Sequence, residues 1–260
     1  MSNEHIKYLK KERHNKIFIT TIQILILIIF LSMWELLSYY QIINSFIFSS
    51  PSLIIKTLYN LLINYHLINH ILVTLYEIII AFIIGISIGL IIAIIMYSNN
   101  TIAKIIDPYL TLINSLPKVA LGPIIIIWIG ANNKSIIAMA LLINLILSIV
   151  TIYDGFKHTD QNQILLLKSF KASKWQMLRY LIIPSSYETI ISSLKINISM
   201  TLIGVIMGEF LVSKAGIGYL IIYGTQIFNL NIVMSGILLL IFISFILYKI
   251  ISLIQKKTSS

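Results

Sequence analysis

The sequence has no cysteine, only nine acidic side chains and little charge of either sign. The first absence excludes disulfides. The scarcity of charge says more: Lys, Arg, Asp and Glu make up 11% of the 260 residues, against about 25% in a soluble domain. Apolar residues make up 58%, and the mean hydropathy is +0.95. Together these place the chain in the membrane class. The net charge of +10 does not point to nucleic acid, because the cations lie between apolar runs rather than along one amphipathic surface. Positive charge flanking apolar spans is what the positive-inside rule describes. A Walker-type phosphate loop is also missing, as is any nucleophile with a partnered base, so the chain is not expected to hydrolyse ATP or to act as an enzyme. His66 and His70 are four residues apart, but two imidazoles without a nearby carboxylate or thiolate do not close a metal site.

What is present is a series of apolar runs. Residues 1–16 form a basic tail carrying Lys7, Lys10, Lys11, Arg13 and Lys16. The run that follows is too long for a signal-peptide core and lacks a small-residue cleavage site, so it reads as a retained first span. Six spans are expected, at roughly 17–37, 71–97, 109–129, 135–153, 189–212 and 232–254, each near the ~20 residues that a hydrocarbon core requires. Ser49-Ser50-Pro51-Ser52 is a helix-start signal. The amphipathic stretch 53–69 after it is expected to lie along the interface. In the second span Ala81, Gly85, Gly89 and Ala93 recur every four residues, a stripe on which another helix can approach closely. Glu77 in the same span is expected to face the protein interior or a wet cavity. Residues 98–108 read as an inner turn. The third span is interrupted by Asn114, Pro117, Lys118, Gly122 and Pro123. Backbone groups freed by such breaks are tolerated in a bilayer only beside protein or water, so Asn114 and Lys118 are candidate pathway lining. Asn144 and Ser148 on the fourth span, and Asn197, Thr201 and Glu209 on the fifth, are further candidates. A polar stripe of this kind serves either interhelical hydrogen bonding or a lumen.

Between the fourth and fifth spans lies a polar segment, 154–188, with Lys157, Lys168, Lys171, Lys174 and Arg179 against Asp154, Asp160 and Glu188. It is too polar for a bilayer, and it is rich in Leu, Ile, Phe and Trp. That combination suggests a helical element presented to a soluble partner. With six spans and both termini inside, fifteen cations fall on the inner side and three (Lys56, Lys134 and Lys214) on the outer, with Lys118 in the third span. That asymmetry places 154–188 in the cytoplasm, where ATP is available.

The run KASKWQMLRYLIIP and the order of elements resemble the permease subunits of binding-protein-dependent ABC importers, the likeness being greatest to the subgroup for sulfonates, taurine, nitrate and the thiamine pyrimidine precursor. It extends from Trp34-Glu35 through Ser50-Pro51-Ser52 and Asp107-Pro108 to Gly208-Glu209-Phe210-Leu211 and Gly216-Ile217-Gly218-Tyr219-Leu220. Such permeases carry a Glu-Ala-Ala, three residues, Gly, nine residues, Ile-x-Leu-Pro pattern in the loop after the fourth span. Here Leu181, Ile183 and Pro184 fill its end, Ala172 and Ser173 follow the glycine position, Leu165-Leu166-Leu167 replace Glu-Ala-Ala, and Lys171 replaces the glycine. Glu77 stands where the subgroup often has a basic residue.

The resemblance implies an all-α polytopic fold with six transmembrane helices, of the type I ABC importer permease kind, over 17–260. It implies that 154–188 docks into a separate ATPase subunit that holds the ATP and Mg, with no cofactor in this chain. The expected docking residues are Leu166, Phe170 and Trp175 as anchors, Lys168 and Lys171 at the rim, and Ala172, Ser173 and Pro184 from the motif. Also implied are an extracytoplasmic solute-binding protein, a permease homodimer and a small polar or anionic solute, to which Lys118 would be suited. Two rivals stand beside this reading: an ion-gradient-driven transporter using Glu35, Glu77 and Glu209, and a membrane scaffold that recruits a soluble protein.

Overall fold

The structure, a computed structural model, describes residues 3–258, with side chains described from 11 to 255. Lys7, Lys10, Lys256 and Lys257 therefore lie outside the described side chains. In chain order the helices are α1 (Asn3–Tyr39), α2 (Ser45–Phe48), α3 (Pro51–Asn64), α4 (Leu67–Ser98), α5 (Asn100–Ser115), α6 (Gly122–Ile129), α7 (Asn133–Lys157), α8 (Gln161–Ser169), α9 (Lys174–Met177), α10 (Ile183–Ser185), α11 (Tyr187–Val212), α12 (Ile217–Gln226) and α13 (Leu230–Thr258). A 3-10 turn at Lys118–Leu121 precedes α6, and a π-helical turn at Leu178–Ile182 precedes α10. No strand occurs among the described residues.

Five of these helices are long and apolar enough to cross a membrane: the 11–39 part of α1, α4, α7, α11 and the 230–255 part of α13. In place of the third expected span stand α5 and the stretch 118–129, bent by 88° at the break between them. The bend falls where Leu116-Pro117 interrupts the backbone ladder, as the sequence led us to expect.

Two expectations are corrected. Residues 98–108 are not a turn, because α5 begins at Asn100. The Asn99 side chain accepts hydrogen bonds from the N–H groups of Thr101 and Ile102 and so starts a helix that runs through Pro108. The 53–69 stretch is not one element either. α3 ends at Asn64, and His66, with φ 49°, separates it from α4. The basic tail, in turn, is continuous with the first span inside α1.

The chain divides into two compact units. The smaller comprises residues 1–65 and 224–235. Its α3 starts as the sequence signalled: Ser50 Oγ accepts from Leu53 N–H and Pro51 occupies the first turn. Glu35 of α1 accepts from both Ser52 N–H (3.0 Å) and Ser52 Oγ (2.7 Å). An anion at a helix N-terminus satisfies donors that the helix itself cannot.

The larger unit comprises residues 66–223 and 236–260. Here α7 packs along both α4 and α11. Small residues permit this approach. Gly89 of α4 faces Ser148, and Gly204 and Gly208 of α11 face Ala140 and Ile136 of α7. Around them Ile78, Ala81, Ile136, Ala140, Ile198, Val205 and Ile251 form a buried core. A second core of Met96, Ala103, Leu110, Ile146 and Ile149 seats α5 against α4 and α7.

Candidate functional site

The polar segment 154–188 folds as a short-helix knob rooted in the larger unit. Its root is apolar: Phe156, Leu178 and Ile182 are fully buried, and Ile182 joins Ala93 and Ile152 in one cluster. Tyr97 meets Phe156 edge to face at 5.8 Å. Polar contacts add to the attachment. Ser186 Oγ donates to Gly155 O (3.0 Å), and Lys174 Nζ donates to Ser98 O (3.2 Å) at the C-terminal end of α4. A cation there complements the exposed carbonyls and the helix dipole. The π-helical turn lies directly before α10, at whose start stands Pro184, a residue that cannot supply an N–H to a regular α-helical ladder.

The outer part of the knob is defined by caps and a tight turn. Asp160 caps α8 by accepting from Asn162 N–H. Ser173 and Gln176 form a capping box at α9: Ser173 Oγ accepts from Gln176 N–H, and Gln176 Oε1 accepts from Ser173 N–H. Between α8 and α9, Lys171 sits at φ 55°, in the left-handed region. This is the position at which the permease motif has glycine, and the geometry supplies the reason, since a Cβ in this conformation costs roughly 1–2 kcal/mol. Lys171→Gly is therefore expected to stabilise the turn by about 1 kcal/mol. Slower amide exchange at Ala172, whose N–H is bonded to Leu167 O, is the readout.

The knob exposes several large apolar side chains. Leu165 is 60% exposed, Leu166 56%, Phe170 73% and Trp175 63%. Lys168 and Lys171 are exposed beside them, as are Ser173 and Pro184, while Ala172 is half-buried.

The candidate pathway residues separate into two groups. Asn114 is exposed and Lys118 half-buried at the 88° break. Lys118 Nζ donates to Asn114 O (3.0 Å) and to Asn114 Oδ1 (3.1 Å), across the interrupted ladder. Asn144, Ser148, Asn197, Thr201 and Glu209, by contrast, are buried between helices. Asn144 Nδ2 donates to Ala81 O of α4 (3.2 Å) and its Oδ1 accepts from Ser148 Oγ (3.0 Å). Thr201 Oγ1 bonds the carbonyl of Asn197, one turn back in its own helix. In this structure these side chains lie between packed helices and make their hydrogen bonds there.

Sequence reasoning passed over the surroundings of Glu209. Thr74 Oγ1 donates to Glu209 Oε1 (2.6 Å), and Gly218 N–H donates to Oε2 (2.5 Å). Ile217 N–H donates to Thr74 Oγ1 (2.8 Å), and Gly216 N–H to His70 Nδ1 (3.0 Å). His70 also stacks on Tyr219. Gly216, at φ +114°, lies against the carboxylate, where an added Cβ would fall 2.4 Å from Glu209 Cδ. The Gly216-Ile217-Gly218 turn thus directs the Gly218 amide to the buried acid and the Gly216 and Ile217 amides to His70 and Thr74. The signal in the sequence was the glycine pair following Glu209.

An all-α chain with five long apolar helices and one bent pair among its described residues is a multi-pass membrane protein. Residues 85–260 match the family described as the binding-protein-dependent transport system inner membrane component, and the chain belongs to that family. It is 29% identical over 228 residues to a Haemophilus influenzae protein named "Probable ABC transporter permease protein", covering 86% of this chain and 91% of that one. It is 23% identical to the taurine transport system permease protein TauC of Escherichia coli, over 87% of this chain and 84% of TauC. Among solved structures it is similar to a chain of the MetNI methionine ABC transporter, determined in inward-facing conformations, with TM-score 0.67, 15% identity, and coverage of 75% of this chain and 96% of that one. The protein is therefore a permease component of an ABC importer rather than a catalytic subunit.

Proposed function

We propose that this permease works as a homodimer with two ATPase subunits and an extracytoplasmic binding protein, importing a small polar or anionic solute of the sulfonate, taurine, nitrate or thiamine-pyrimidine type. The observation that supports the ATPase joint is the exposure of Leu165, Leu166, Phe170 and Trp175 on a knob whose root is buried. A rigidly rooted element with an apolar outer face transmits movement of its partner to the helices in which it is rooted. Here those are α4, α7 and α11, through Ala93, Ile152, Phe156, Ile182 and Ser186. ATP and Mg are held by the partner, and closure of the ATPases drives the knob as a lever. The spans then alternate between outward- and inward-open states, with the coupling free energy supplied at the knob. The charge asymmetry of fifteen cations against three supports cytoplasmic termini and a cytoplasmic knob. Glu35 is occupied in capping α3, which favours an ATP-driven cycle over one driven by proton binding at that acid.

Lys118 at the break supports a pathway for anions, as does the similarity to a taurine permease. A hydrogen bond to a charged group is worth roughly 1.5–3 kcal/mol. Sulfonate uptake into vesicles holding the full complex should therefore fall about 10- to 100-fold in Lys118→Ala. Unchanged uptake removes Lys118 from the pathway.

A further inference from the structure

Glu77 of α4 is fully buried, and no backbone or side-chain donor reaches either of its carboxyl oxygens. The group beside it is the carboxyl of Glu209 on α11. Glu209 is itself buried but well supplied, with Thr74 Oγ1–H on one oxygen and Gly218 N–H on the other. Two ionised carboxylates in contact, away from water, repel each other, and each loses its hydration. Such a pair is stable when one member keeps its proton and donates it to the other. The donors decide which member does so. Glu209 has a hydroxyl and an amide aimed at it and is the acceptor. Glu77 has none and holds the proton.

We propose that Glu77 is a neutral carboxylic acid that donates a hydrogen bond to the Glu209 carboxylate, and that it is a positioning residue. Through this bond it fixes α4 to α11 and holds the Gly216–Gly218 turn in place. The alternative occupant, a monovalent cation shared by two carboxylates, is disfavoured by geometry, because the Gly218 N–H points at the same anion and would face the cation with its positive end. The pair does not depend on which solute the protein carries.

Infrared spectroscopy of the purified chain in lipid nanodiscs tests this directly. At neutral pH the wild type is expected to show the carbonyl stretch of a protonated carboxylic acid, shifted in D2O. Glu77→Gln should lose the band, whereas Glu209→Gln should keep it. Melting supplies the second readout. Glu77→Gln retains an amide donor and should melt within about 2 °C of wild type, whereas Glu77→Met, of similar length but without a donor, should melt lower by about 2–4 °C or more. Absence of the acid band from wild type, or its survival in Glu77→Gln, overturns the proposal. So does equal melting of the Met and Gln variants. A melting temperature raised by Na⁺ relative to choline, without an acid band, would assign the pair to a cation instead.

Discussion

Replacing Phe170 and Trp175 together by Asp should abolish co-purification of the ATPase while leaving the helical fold intact. Both side chains are largely solvent-exposed, 73% and 63%, so neither contributes to the buried core and melting should change little. Burial of one such side chain at an interface is worth roughly 1.5–3 kcal/mol. Removing two therefore costs about 3–6 kcal/mol, a weakening of roughly 10²- to 10⁴-fold in affinity. The introduced carboxylates add a desolvation cost in the same direction. Lys168→Ala and Lys171→Ala are expected to do far less, because exposed ion pairs contribute about 0–1 kcal/mol. A complex that survives the double Asp substitution, with ATP-dependent uptake unchanged, would mean that the ATPase grips another surface.

Gly204→Leu should force α7 and α11 apart and lower the melting temperature of the protein. A Cβ at this position would lie 2.6 Å from Ala140 Cα. The obstacle is backbone, which cannot rotate aside like the end of a side chain, so α11 and α7 must separate. Overpacking typically costs 1–3 kcal/mol and sometimes more. For Gly204→Leu we expect about 3 kcal/mol or more, equivalent to a fall in melting temperature of roughly 6–12 °C for a chain of this size. Ile203→Leu is the matched control, since Ile203 is 45% exposed on the same helix. A Gly204→Leu protein that melts with wild type would show that the contact with Ala140 is looser than the geometry indicates. Gly208, whose Cβ would meet Ile136, gives the same test one turn further on.

The spans were legible because hydropathy is a local property. Runs of Ile and Leu of bilayer length specify a helix wherever the chain places them. The small-residue stripe on α4 was legible too, because a four-residue spacing fixes a helix face. The start of α5 was not legible, because residues 98–108 are mostly polar and contain Pro108, a turn-like composition. A proline removes one hydrogen bond, but the Asn99 cap and the apolar seat of Ala103 and Leu110 hold the helix on both sides of it. Lys171 shows a different limit. Its departure from glycine was visible in the sequence, yet the strain follows only from φ 55°. The Glu77–Glu209 contact was not legible, since the two acids lie on helices far apart in sequence and pairing of like charges has no local signature. The spacing of Asn144, Ser148, Asn197 and Thr201 showed a shared polar face, but their burial between helices depends on which helices pack against them, which no local pattern encodes.

On the proposed mechanism, the knob between α7 and α11 is the joint with an ATPase. Photocrosslinking from a photoreactive residue at position 166 or 170, in native membranes, tests it most directly. The expected result is an adduct with a nucleotide-binding ABC ATPase whose yield changes between ATP-loaded and nucleotide-free membranes. Adducts formed only with lipid or with this chain itself would contradict it.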